Sequence, residues 1–256
     1  MFIQLNILVE NNLVLNIKEG GNMLITNIIK IDTMSYHHLE KHYLDKLDIV
    51  RKSQITNFVN QLDKKRSIVA GLLLRKMLYC NFNLNPSELE FAIYRNGKPI
   101  LVNNPCVFFN ISHSNEFVAC SVSSKPIGID IEKIEDSNID SIATVLHENE
   151  KQCIASKNNY KEKRDLFFKI WTLKEAFSKK IGLGLSYPLN EYYFSFFDNG
   201  KIIVHSEWEN SCNFRSYGLH NSYVFSVSSS IVEQNKIVEY SLNDLIQLIN
   251  CKGLQF

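Results

Sequence analysis

The chain lacks every familiar phosphate-cradling loop: neither G-x-x-x-x-G-K-[ST] nor G-x-G-x-x-G occurs in its 256 residues. Gly182-Leu183-Gly184-Leu185 closes a helical run instead of opening one. There is no G-x-S-x-G elbow of the kind that presents a serine nucleophile. Cys80, Cys106, Cys120, Cys153, Cys212 and Cys251 form no C-x-x-C pair and no metal-type spacing, so free thiols in a reducing cytoplasm are expected. No apolar run is long enough to span a bilayer. The apolar opening, MFIQLNILVENNLVLNIKEGG, is broken by Asn6, Glu10, Asn11, Asn12 and Asn16 and so lacks the core of a secretory leader. A formal net charge of +1 gives no whole-molecule field for nucleic acid or an anionic membrane, and neither is an expected partner.

What the chain does have is core material. With 45% hydrophobic and 21% charged residues, it can fill one large domain or two of ordinary size. Residues 1–22 read as an N-terminal extension, because Gly20-Gly21-Asn22 breaks the pattern before the strand-like MLITNIIKID from Met23. A charged helical stretch is expected over 39–60, and a helix with its apolar residues crowded on one side over 63–80. FAIY from Phe91 reads as a strand entering the Asn96-Gly97 hairpin turn. VFFNISHS (107–114), FVACSVSS (117–124) and IGIDIE (127–132) follow as short strands, a succession that suggests an antiparallel sheet rather than βαβ units. A helical segment is expected near 142–154. The clearest helix runs over 164–181, where Leu166, Phe167, Ile170, Leu173, Phe177 and Ile181 recur at helical spacing before Gly182. YYFSF, KIIVH and YVFSVSSS are again strand-like, and Ser241 with Asp244 opens a last helix over 241–249. SVSS occurs at 121–124 and at 226–229; two similar halves would explain it, and so would chance.

Chemistry-bearing residues fall at the ends of these elements. Asp130 and Glu132 in G-I-D-I-E share one strand face while Ile129 and Ile131 share the other. Paired carboxylates repel unless a cation or a proton sits between them, and oxygen-only ligands suit a hard ion such as Mg²⁺. A solvated strand face beside Lys133 would read the same way. Glu175 and Lys179 in WTLKEAFSKK are i,i+4 neighbours. They form either an ordinary surface pair worth about 0.3–0.5 kcal/mol or a group that binds metal, moves a proton and holds phosphate. Ser112 and His113 sit together in a strand, where adjacent side chains point to opposite faces; they cannot form a dyad with each other. Gly97-Lys98-Pro99 is a turn with a fixed φ after it, while Arg51-Lys52 and Lys64-Lys65-Arg66 are cationic clusters on helices, solvated or phosphate-binding.

Taken in order, Gly97-Lys98-Pro99, FNISHS (109–114), IGIDIE (127–132), an acidic segment ending at Glu150, and FFKIWTLKEAFSKKIGLGLS (167–186) resemble the signature of the Sfp-type 4′-phosphopantetheinyl transferases. The resemblance runs over roughly residues 23–245 and rests above all on the paired blocks G-[IV]-D-[IV]-E and W-x-x-K-E-[AS]-x-x-K. It implies an α+β fold of two similar halves about a pseudo-two-fold axis, here 23–125 and 126–256, with antiparallel sheets, packed helices and coenzyme A bound in the cleft. It implies a magnesium-dependent transfer of 4′-phosphopantetheine from coenzyme A to a serine of apo acyl or peptidyl carrier proteins. Such enzymes serve non-ribosomal peptide, polyketide and fatty-acid synthases, hence antibiotic biosynthesis. By motif position, Asp130, Glu132 and Glu175 resemble the magnesium ligands, and the resemblance leaves Glu175, Glu150 or a metal-bound water as the base. Lys179 resembles the lysine on coenzyme A phosphate, with Lys174 a second lysine position of that helix. His113 matches the pyrophosphate contact and Ser112 lies beside the cofactor. Lys98 and Pro99 match the adenine end, and Arg66 and Arg51 the 3′-phosphate. Glu150 matches an acid near the metal, and a cytoplasmic monomer is implied. A metal-dependent nucleotide phosphohydrolase and a non-catalytic coenzyme A- or carrier-binding module are the competing readings.

Overall fold

A computed structural model describes residues 3–4, 22–31, 34–136, 139, 143–184, 188–209, 211–232 and 235–251. The chain divides into two compact units. One holds Pro126–Val232 together with the strand Ile3–Gln4; the other holds the described residues of 7–125 and 233–256.

In the unit containing residues 22–125, three antiparallel strands lie in the order β2 (Leu24–Lys30), β6 (Phe117–Ser123), β5 (Phe108–Ser114). β12 (Lys236–Ser241) extends this sheet by pairing in parallel with β2. All of β6 and the first six residues of β2 are buried, which accounts for their near-continuous apolar runs. α3 (Gln61–Phe82) packs on the sheet through Ile68, Leu72 and Met77, in one core with Ile29, Val118 and Val122. The helical stretch expected over 39–60 is broken in two, α1 (Tyr36–Tyr43) and α2 (Ile49–Asn57). The break arises because Asp48 caps a new start, its carboxylate accepting from the Arg51 amide at 2.8 Å. β3 (Phe91–Ile93) and β4 (Pro99–Leu101) form the expected hairpin, with Asn96 (φ 60°) and Gly97 (φ 81°) in the left-handed region at its turn. α6 (Leu242–Cys251) opens on the anticipated capping box, Ser241 Oγ accepting from the Asp244 amide at 3.1 Å.

In the other unit, β10 (Asn213–Leu219), β11 (Tyr223–Ser229) and β7 (Ile127–Lys133) are antiparallel neighbours in that order, and β1 (Ile3–Gln4) pairs in parallel with β10. α5 (Tyr160–Ile181) packs on β7 and β11. It begins a turn earlier than its apolar spacing suggests, because Asn159 caps it. The segment expected near 142–154 becomes a single 3₁₀ turn at Ala143–Val145 and then α4 (Glu148–Ala155), capped by His147. β8 (Tyr193–Phe196) and β9 (Ile202–His205) form a separate hairpin.

Each unit, taken by itself, has the same plan: three antiparallel strands, a parallel outer strand and a 22-residue helix. The two SVSS segments close the matching inner strands β6 and β11. Ser121 there shares a buried 2.7 Å hydrogen bond with Thr26, and Ser226 shares one with Thr172. The α+β class with antiparallel sheets is as the sequence implied.

Candidate active site

The site begins with a glycine. A Cβ on Gly128 would lie 1.9 Å from the Ala176 carbonyl oxygen and 2.6 Å from the Lys180 amide nitrogen. Only glycine lets α5 approach β7 so closely. Asp130 lies two residues further along the same strand face and is thereby held against the last turns of α5, only 3% exposed. The face is not solvated, as an isolated D-x-E motif could have suggested: Ile127, Ile129 and Ile131 bury one side of β7 and α5 covers the other.

Lys179 Nζ donates to Asp130 Oδ1 at 2.6 Å. Its partner is thus an acid from the strand, not Glu175 one turn earlier, so the simple i,i+4 surface pair does not form. Glu175 is half-buried on the same stripe of α5. Burial pushes its carboxyl above the ordinary range, the nearby Asp130 charge pushes it further, and Lys179 opposes the shift. Asp130 and Glu175 therefore stand as two repelling acids from a strand and a helix, with one ammonium beside them. Their oxygen-only chemistry fits a hard divalent cation, and Mg²⁺ is commonly held by one or two carboxylates plus substrate phosphates. Glu132, two residues beyond Asp130, is half-buried. Among the described residues, no three His, Cys, Asp or Glu side chains are grouped as a ready metal cage.

Glu150 is engaged elsewhere. Lys174 and Glu150 form an ion pair at 2.9 Å with side chains 0% and 1% exposed. Lys174 Nζ also donates to the Leu189 and Tyr192 carbonyls at 2.7 and 2.6 Å and lies 4.0 Å from the centre of the Tyr192 ring. Glu150 Oε1 accepts from the Phe194 amide at 3.2 Å, and Oε2 closes the α4 capping box through the His147 amide. Burial outweighs the mutual attraction, drawing the lysine down to about 8 and the glutamate up. This pair ties α4, α5 and the entry to β8 together. Neither it nor Gly128 stood out as structural in the sequence. The signals were a glycine inside a strand pattern, and a lysine at the core-facing position between Ile170 and Phe177.

The remaining expected site residues lie in the other unit. Ser112 is buried and His113 exposed, on opposite faces of β5 as strand alternation requires. Arg66 reaches the β5–β6 turn: its Nε donates to the Asn115 carbonyl at 2.7 Å, and Nη1 donates to Asp63 at 2.7 Å. Arg51 and Pro99 line one small cleft with Asp48, Arg75 and Phe91. Asp48 pairs with Arg75 at 2.9 Å, and Arg75 lies 5.1 Å from the centre of the Phe91 ring. Lys98 is half-buried at the start of β4, its carbonyl accepting from the Tyr94 amide at 2.8 Å. No described helix is long and apolar enough to cross a membrane.

These elements coincide with matches to known proteins. Residues 126–228, which carry Asp130, Glu175 and Lys179, match the 4′-phosphopantetheinyl transferase superfamily model. Residues 36–125, which carry Arg51, Arg66, Lys98 and His113, match a 4′-phosphopantetheinyl transferase N-terminal model. A 4′-phosphopantetheinyl transferase of Bacillus subtilis is 30% identical over 181 residues, 70% of this chain and 80% of that protein. One from Aneurinibacillus migulanus is 32% identical over 165 residues, 64% and 68% of the two chains. A solved holo-(acyl-carrier-protein) synthase from Bacillus anthracis, in complex with CoA (3′,5′-ADP), aligns at 19% identity and a TM-score of 0.35, covering 41% of this chain and 93% of its own. With a relative at this identity spanning most of both chains, and with both halves matched in order, the chain belongs to the 4′-phosphopantetheinyl transferase family.

Proposed function

We infer that this protein transfers the 4′-phosphopantetheine group of coenzyme A to a serine of apo acyl or peptidyl carrier proteins, giving holo-carrier and adenosine 3′,5′-bisphosphate. One observation carries the chemistry: a strand acid, a helix acid and a lysine, Asp130, Glu175 and Lys179, converge where Gly128 lets α5 touch β7. The relatives named as transferases of this group support the reaction class.

The reaction cleaves a pyrophosphate as the serine hydroxyl attacks phosphorus, so positioning and charge neutralisation do most of the work. Mg²⁺ held by Asp130, Glu132 and Glu175 would neutralise charge on the phosphate oxygens. Glu175, on the helix face beside Asp130, takes the serine proton as the hydroxyl attacks. Lys179, anchored on Asp130, and His113 offset developing negative charge. In this reading Ser112 lies beside the cofactor, Lys98 and Pro99 take its adenine end, and Arg51 and Arg66 its 3′-phosphate. The protein is proposed to act as a cytoplasmic monomer, apart from nucleic acid and membrane, in line with its net charge of +1.

The test incubates the protein with coenzyme A, Mg²⁺ and a panel of apo carriers, including carriers with the acceptor serine changed to alanine. Intact mass should show one phosphopantetheine arm added to at least one serine-bearing carrier and to no alanine variant, with no gain in EDTA. Release of adenosine 3′,5′-bisphosphate without any carrier would instead mark a hydrolase, and the transferase reading would fall.

A further inference from the structure

On the flank of the unit that carries Asp130, a cavity of about 690 Å³ opens between the N-terminal half of α5, the end of α4 and the β8–β9 hairpin. That volume lies within the range of small-molecule sites. Its floor is apolar, formed by Leu166, Phe196 and Ile202, and its cations are Lys157, Lys169 and Lys201. Lys169 Nζ stands 4.7 Å from the centre of the Phe196 ring. Among the described residues Lys169 makes no ion pair, and burial alone pulls its ammonium below the ordinary lysine range. Three acids, Glu162, Asp165 and Asp198, also line the space. Two of them are already engaged. Glu162 accepts from the Asn158 amide and from Asn159 Nδ2 at the start of α5, at 3.4 and 2.8 Å. Asp165 is paired with Lys161 at 3.0 Å and with Arg164 at 3.4 Å. Glu162 meets only neutral amides and keeps its charge, as does Asp198, whereas Asp165 is neutralised by cations outside the lining; the three lysines therefore exceed the uncompensated acids by one, over an aromatic and aliphatic floor.

We propose that this cavity binds an organic anion with an apolar body, its acidic head on Lys169 and its body on Phe196, Leu166 and Ile202. A half-buried ammonium without a carboxylate partner has lost part of its hydration, and an anionic head offsets that cost while the body loses water-exposed apolar surface. The site is separate from the Asp130–Glu175 group. Lys169 precedes Glu175 by six residues, about 9 Å along the helix and about 120° around it. The inference stands whether or not the carrier reaction is as described above.

The test titrates the whole protein with 4-phenylbutyrate and with its uncharged counterpart 4-phenylbutan-1-ol, following backbone amide shifts. The acid should saturate shifts at residues 166–169 and 196–202 with a dissociation constant at least about tenfold below that of the alcohol. Lys169→Met should erase that preference, Lys169→Arg should keep it, and carrier modification should be unchanged in both. Equal binding of acid and alcohol, a preference that survives Lys169→Met, or saturable shifts confined to other parts of the chain would overturn the proposal.

Discussion

Asp130 owes its chemistry to its burial. At 3% exposure, it holds the Lys179 ammonium at 2.6 Å and adds its charge to the burial that raises the Glu175 carboxyl. A carboxamide of the same shape keeps the volume but removes the charge that both neighbours answer to. Asp130→Asn should therefore lower carrier modification by about 100-fold or more, the usual scale for one electrostatic or acid–base partner. The fold should survive, because Lys179 is 28% exposed and can return to water. Carrier modification rates and thermal melts of the same preparation check this; a variant within a few-fold of the parent would remove Asp130 from the mechanism. A second residue-scale outcome concerns thiols. Burial pushes the Cys120 thiol far up, whereas Cys106 is exposed. Among the described cysteines, mass-mapped alkylation of the native protein should mark Cys106 first and Cys120 only after unfolding.

At the scale of elements, the decisive contact is β7 against α5. Gly128→Ala would force a methyl group to 1.9 Å from the Ala176 carbonyl, and a helix backbone cannot swing aside as a flexible side-chain tip can. The expected cost is about 3 kcal/mol or more, at the upper end for overpacking. Because the displaced helix carries Glu175 and Lys179, activity should fall even well below the melting temperature. A melt and a rate measured on one sample separate the two effects; an active, fully stable variant would show that the close approach is dispensable. The Lys174–Glu150 pair makes a different claim. Lys174→Met strands a buried carboxylate and two carbonyls, a loss of about 3–5 kcal/mol. Adding Glu150→Gln should restore part of it, and denaturant melts of the double-mutant cycle report the coupling.

For the whole molecule, the informative feature is that each end of the chain joins the sheet of the unit that does not contain its sequence neighbours. β1 pairs with β10, and β12 pairs with β2. α6 then contributes Leu242, Leu245 and Ile249, all nearly inaccessible, to the core of residues 24–122. Asn235 Nδ2 donates to Thr26 Oγ1 at 3.0 Å, and Lys76 Nζ donates to Tyr240 Oη at 3.3 Å. At roughly 1.5–3 kcal/mol per buried large aliphatic side chain, those three alone contribute about 5–9 kcal/mol, comparable with the stability of a whole domain. A chain ending at Val232 should lose hydrogen-exchange protection throughout β2 and β6. Retained protection there would mean that residues 24–125 are sufficient by themselves.

The sequence by itself determined most of the strands, though not β1, β10 or β12, together with the hairpin at Asn96-Gly97, the helix stop at Gly182, the capping box at Ser241 and the order of the signature blocks. All of these follow from local rules: alternation, helical spacing, turn chemistry and caps act over a few residues. It also determined that Ser112 and His113 face opposite ways. Only the tertiary structure decided which acid Lys179 answers, because Asp130 and Lys179 are 49 positions apart and meet only through the Gly128 contact. The same holds for Glu150, whose burial against Lys174 depends on how α4 meets α5, and for the exchange of terminal strands, which depends on pairings more than 200 positions apart. Such contacts are fixed by which buried surfaces fit together, and no short window of sequence contains both surfaces.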